Sequence, residues 1–141
     1  MMVHRRGYNI IDHTADIGVE ASGKNLEEAF ENLAESMFAI ITDESVIENK
    51  IKKEIVLPRD SDTEQLVVDW LSELLYLSDV SGLVFGKFRV KLNDQLEALA
   101  WGEPYSRHKH GYGAAIKAVT YHLLSAKNNK NGVTIRVLFD V

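Results

Sequence analysis

Cysteine is absent from the 141 residues, which excludes a disulfide framework and a cysteine nucleophile. No apolar run is long enough to cross a bilayer. Residues 1–7 are too polar for a secretory signal. These absences together point to a cytoplasmic chain with no membrane partner. A glycine-rich phosphate fingerprint is also missing, since Gly111-Tyr112-Gly113 alone does not make one. No serine stands in a nucleophile-elbow context. No internal repeat, linker or low-complexity tract interrupts the chain. No strongly basic patch recurs with aromatics, so stable direct binding of nucleic acid is not expected.

What is present is ordinary for a globular protein: 45% hydrophobic and 26% charged residues. The length suits one domain, residues 1–141, with one sizeable core. The net charge of −5 is unevenly spread. Residues 12–48 carry ten acids and one base, a net of −9. Residues 100–141 carry six bases and two acids, a net of +4. Such a split suits either solvated faces or an acidic surface that docks on a basic partner.

Periodicity gives the elements. Tyr8 to Ile11 reads as a short edge strand, Asp12 to Asp16 as a loop, and Ile17 with Val19 as a resumed strand. Asn25 and Glu28 have capping-box spacing. Leu26, Phe30, Leu33 and Met37 then mark an amphipathic helix of about four turns, ending near Thr42. Ile51 to Leu57 reads as a strand that Pro58 ends. Ser61 and Glu64 repeat the capping spacing before a second helix through Leu66, Trp70, Leu74 and Leu77. Its wide apolar face predicts the deeper burial of the two, and Gly82 breaks it. Phe88, Val90 and Leu92, a turn at Asn93-Asp94-Gln95, then Leu96, Ala98 and Ala100 read as a hairpin. Ile116 to Tyr121 favours a strand, residues 127–132 a polar turn, and Val133 to Phe139 the cleanest strand of all. The expected class is α+β, mostly antiparallel sheet packed with two main amphipathic helices.

Two segments could carry chemistry. One is His13-Thr14-Ala15-Asp16-Ile17-Gly18-Val19-Glu20. The other is Phe139-Asp140-Val141, where the last strand runs straight into the end of the sequence. The Asp140 side chain and the Val141 α-carboxylate would make a concentrated negative site. A divalent cation would neutralise it, with Asp16 as third ligand if the early loop lies beside the last strand. Oxygen donors without cysteine favour a hard ion, Ca²⁺, Mg²⁺ or Mn²⁺. The residues alone leave plainer readings open, with Asp16 a turn former, Asp140 a surface residue and Val141 a free end. They also leave open a zinc site of His13, His108 and His110. A carboxylate-pair hydrolase on Asp12 and Asp16 is a further alternative.

His13-Thr14-Ala15-Asp16-Ile17-Gly18, Lys117-Ala118-Val119-Thr120-Tyr121-His122 and the terminal Val137-Leu138-Phe139-Asp140-Val141, in that order, resemble the archease family. The likeness covers essentially the whole chain, including Trp70-Leu71 and Leu74-Leu75-Tyr76. It implies an α+β protein cofactor, not a free-standing enzyme. Its partner would be an RtcB-type RNA ligase of tRNA splicing. The implied role is to promote guanylylation and multiple turnover of that ligase and to broaden its nucleotide use. It also implies a divalent ion held by Asp16, Asp140 and Val141, with Ca²⁺ the expected ion in a crystal. His13 and Asp12 would stand behind these ligands, His13 orienting Asp16. Ala115 departs from the family pattern, which often has an acid there. The reading from a different class is a small stand-alone phosphohydrolase dependent on a divalent metal.

Overall fold

The computed structural model describes residues 2–5, 7–12, 16–60 and 62–141, without the side chains of residues 2–5 and 12. Strands β1 (Met2–Arg5), β2 (Tyr8–Asp12) and β3 (Asp16–Gly23) precede helix α1 (Leu26–Ile41). Strand β4 (Ile51–Pro58) leads to α2 (Thr63–Ser81), and the β5 (Leu83–Leu92)–β6 (Gln95–Pro104) hairpin follows. A short α3 (Arg107–His110) and strands β7 (Ala118–Asn129) and β8 (Gly132–Asp140) complete the order. The strands form two antiparallel sheets, β1-β2-β3-β8-β7 and β4-β6-β5. The expected α+β class, with two main helices on mostly antiparallel sheet, is what the fold has.

Both main helices touch both sheets, α1 through β3, β8 and β5, and α2 through β7 and β5. The buried residues of α1 explain how. Ala29, Phe30, Leu33, Ala34, Met37, Phe38 and Ile40 sweep a broad arc of the 3.6-residue wheel, enough to face two sheets at once. Phe38 reaches the β4-β6-β5 sheet, edge-on to Phe85 and stacked on Phe88. Trp70 of α2 completes the aromatic group against Phe88, and its indole N–H donates to the Phe30 carbonyl. The expectation that α2 is the deeper helix is therefore reversed. Half of the α1 residues are buried, because it is the element that both sheets close upon.

Local signals explain the ends. The Asn25 side chain accepts from the Glu28 amide at 2.8 Å, and the Glu28 carboxylate accepts from the Lys24 amide. For α2 the cap is Asp62, accepting from the Gln65 amide; Ser61 lies outside the described residues. The acids of each first turn also face the positive helix end. Gly82 closes α2 in the left-handed conformation, φ 70°, which costs glycine little. The β5–β6 turn needs only Asn93 and Asp94. The polar turn of 127–132 shrinks to Lys130 and Asn131, because β7 runs on through Asn129. Tyr8 to Ile11 is not at the edge, since β1 pairs outside it. Among the described residues no helix is long and apolar enough to cross a membrane.

Replacing Phe38 with alanine removes the aromatic contact of α1 with Phe85 and Phe88 of the smaller sheet. We expect a loss of about 3–5 kcal/mol of stability, seen as a lower urea midpoint at unchanged slope.

Candidate functional site

Strands β3 and β8 pair along their whole length, from Gly23 opposite Val133 to Asp16 opposite Asp140. In an antiparallel pair, directly opposed residues share a face, and alternate rungs share it again. One face of this pair is Ser22–Thr134, Glu20–Arg136, Gly18–Leu138 and Asp16–Asp140. The first rung is a hydroxyl pair, Oγ to Oγ1 at 3.1 Å. The second is an ion pair, Arg136 Nη2 donating to Glu20 Oε2 at 2.7 Å. In the third, a Cβ on Gly18 would sit 3.1 Å from a Leu138 methyl, so the missing side chain makes room for leucine. Only the fourth rung sets like against like.

Among the described residues, neither the Asp16 nor the Asp140 carboxylate has an ion-pair or hydrogen-bond partner. Like charges directly opposed across a ladder are destabilising. Val141 follows at once and is half-buried. On the other side of β8, Ala118 stands opposite Asp140, and the Lys117 amide donates to the Asp140 carbonyl at 2.7 Å. The two segments singled out in the sequence thus meet at one rung. Lys117 immediately precedes β7 at that point. Its place within Lys117-Ala118-Val119-Thr120-Tyr121-His122 is the signal that could have found it.

The donor chemistry suits a hard divalent ion: two unpaired carboxylates that repel, with the following residue alongside. Among the described residues no cluster of three or more His, Asp or Glu side chains is placed to hold a metal. To hold an ion, the pair would need a further oxygen donor from elsewhere. Asp12 pairs with Ile17, which sets its backbone next to the site. His13, proposed to orient Asp16, lies outside the described residues.

The histidine alternative resolves differently. His108 and His110 lie on the short α3 helix, where residues two apart do not share a face. His110 is fully buried. Its Nδ1 accepts from the Ser106 amide at 2.9 Å, which leaves Nε2 to donate to Glu103 Oε2 at 3.0 Å. Glu103 also accepts from the Glu48 amide at 2.8 Å and from Lys109 Nζ at 2.9 Å. The Glu48 amide is the main reason that the Glu103 carboxyl is lowered to about 2; burial opposes it, and Lys109 and His110 assist. The Glu103 carboxylate raises the Lys109 ammonium in turn. This network is fully satisfied and pins the 105–111 segment to β6. It is a structural clasp and offers no open coordination position.

Residues 8–141 match the model of the Archease protein family (MTH1598/TM1083). The chain is 40% identical over 140 residues to the protein archease of Methanosarcina mazei, covering 95% of each. It is 39% identical over 132 residues to that of Pyrococcus furiosus, covering 90% of this chain and 92% of the other. Among solved structures, it resembles Methanobacterium thermoautotrophicum protein 1598 with a TM-score of 0.75 and 34% identity, covering 96% and 99% of the two chains. A crystal structure of a Thermotoga maritima archease, described as a possible chaperone, matches with a TM-score of 0.65 and 27% identity, covering 99% of each.

Two outcomes test this description. In chelator, Asp16→Asn removes the repulsion at the fourth rung and raises stability by about 0.2–1 kcal/mol, read as a higher Tm. The Glu103 carboxyl is lowered from 4.5 to about 2 on folding. Its stabilisation is therefore present above pH 4.5 and lost as pH falls toward 2. Glu103→Gln lowers Tm at neutral pH and flattens the profile across that interval.

Proposed function

We propose, for a chain that belongs to the archease family, that it serves as the protein cofactor of an RtcB-type RNA ligase. Family membership supports a regulatory or cofactor role in general. The finer reading is that the chain promotes guanylylation of the ligase, sustains its turnover and broadens its nucleotide use. It is a reading for a helper and not for a catalyst.

The observation that carries it is the like-charge rung, Asp16 opposite Asp140, on an otherwise matched face. Asp16, Asp140 and the Val141 carboxylate would hold a divalent ion, Ca²⁺, Mg²⁺ or Mn²⁺. Such an ion supplies Lewis-acid charge that can orient triphosphate oxygens. The chain's own contribution is positional. The β3–β8 ladder fixes both carboxylates on one face at one end of the five-stranded sheet. Lys117, held to Asp140 through its amide, puts a cation just before β7. The acidic end would then approach the ligase active site in the cytoplasm, with the divalent ion as the only cofactor.

Purified Asp16→Ala and Asp140→Ala should each lower ligase–GMP formation by at least about tenfold, with far-UV circular dichroism unchanged. One residue added after Val141 should do the same, because it turns the carboxylate into an amide. Arg136→Ala, two rungs away, should keep the stimulation. Full stimulation by a folded Asp140→Ala protein would remove the carboxylate site from the mechanism. Product formation without any ligase, dependent on divalent metal, would favour the phosphohydrolase reading.

A further inference from the structure

The outer face of the β4-β6-β5 sheet carries a second arrangement, distant in chemistry from the acidic rung. Its rungs are Lys52–Trp101–Lys87, Glu54–Leu99–Arg89 and Val56–Glu97–Lys91, read from β4 through β6 to β5. The inner rungs between them, through Ile55, Ala98, Ala100, Phe88 and Val90, belong to the core. Lys87, Arg89 and Lys91 therefore form a row of cations along one strand, about 6.6 Å apart. Trp101 lies at the centre of its rung between two lysines, and Lys87 Nζ sits 5.0 Å from the ring centroid.

Three features separate this face from an ordinary solvated one. All four cations are exposed, and among the described residues none forms an ion pair, although Glu54 and Glu97 share the face. The Trp101 and Leu99 side chains stay half-exposed at the middle of the sheet, where packing would otherwise bury them. Glu103, two residues beyond Trp101 on β6, is already tied to Lys109 and His110. The Lys52–Trp101–Lys87 rung itself thus carries no carboxylate, and Glu54 stands on the next rung. A shallow groove of about 380 Å³ continues it along Leu99, Arg89 and Lys91, with Glu54 and Glu97 also in its lining.

We infer that this face is a binding site for single-stranded nucleic acid, phosphates along Lys87, Arg89 and Lys91 and a base stacked on Trp101. A row of cations beside an aromatic platform on a sheet is what backbone tracking with base stacking requires. Repulsion from Glu54 and Glu97 and the net charge of −5 keep the contact weak and transient. Such a contact is consistent with the expectation of no stable nucleic-acid complex. This inference does not rest on the ligase reading, and its test contains no ligase.

Fluorescence anisotropy with labelled oligouridylate, labelled oligothymidylate and a short RNA duplex tests it. Single strands should bind the wild-type protein better than the duplex does. Equal affinity for the two single strands supports shared stacking, and a preference for oligouridylate supports an RNA ligand. Three phosphate contacts predict about a 20-fold loss of affinity between about 50 and about 200 mM salt. Trp101→Ala should weaken binding at least about fivefold, and Trp101→Phe should retain most of it. K87E/R89E/K91E should abolish it, with thermal melts checking the fold. K127E/K130E, at the end of β7 and in the turn that follows, should leave it intact and so exclude a general charge effect. No binding at millimolar protein, equal binding of duplex, or indifference to Trp101 and the three cations would overturn the inference. So would loss of a protein partner in these variants while wild-type protein ignores single strands.

Discussion

The pairing of β3 with β8 is the constraint on which the rest depends. These strands are joined by more than a hundred residues of intervening chain, so their register is not set by a turn. It is set by side chains. The inner face offers Val19 and Ala21 against Val137 and Ile135, all fully buried. The outer face offers one complementary pair after another until the last rung. A slip of one residue would turn every side chain of β8 to the opposite face, exposing Ile135, Val137 and Phe139. Core burial therefore fixes the position of Asp140 relative to Asp16, although neither residue belongs to the core.

The helix layer depends on the same arrangement. Because β3 and β8 form the middle of the larger sheet, α1 can pack across them and still present Phe38 to the smaller sheet. The smaller sheet in turn has β5 as an edge, which would invite pairing with another chain. The Glu31 carboxylate of α1 accepts from the Val90 amide of that edge at 2.8 Å. Burial raises this carboxyl, while the Val90 amide draws it back down. A single residue thus anchors the helix to the sheet and occupies one donor of an open edge.

Much of this was legible in the sequence because it followed from local rules. Helix α1, the strand ended by Pro58, the break at Gly82 and the last strand all came from spacing and turn chemistry. The cap of α2 was misplaced by one residue because Ser61 and Asp62 are both good caps, and the spacing to Glu64 favoured the wrong one. The ranking of helix burial failed for a different reason: depth depends on how many strands of the two sheets a helix packs on, more for α1 than for α2, which its own periodicity does not report. The meeting of Asp16 with Asp140 was expected, but its most telling feature was not. That feature is the matched character of the three rungs before it, which needs the register to be seen. Likewise Lys52, Lys87 and Trp101 lie far apart in sequence, and only strand order places them in one row. The His108–His110 spacing does not report that the backbone makes a helical turn there.

The energetics of the last rung set it apart from the three before it. Opposed like charges cost about 0.2–1 kcal/mol relative to a neutral pair, and no core contact depends on either carboxylate. Asparagine at one position would remove that cost without altering the register, which the buried face already secures. A ligand bound only by the folded chain, present at a hundred times its dissociation constant, contributes about 2.7 kcal/mol. That exceeds the repulsion severalfold, so a cation-bridged rung would be more stable than a neutral one, whereas an unbridged rung is less stable. Of the four rungs on this face, the last is the one whose repulsion an added positive charge would relieve.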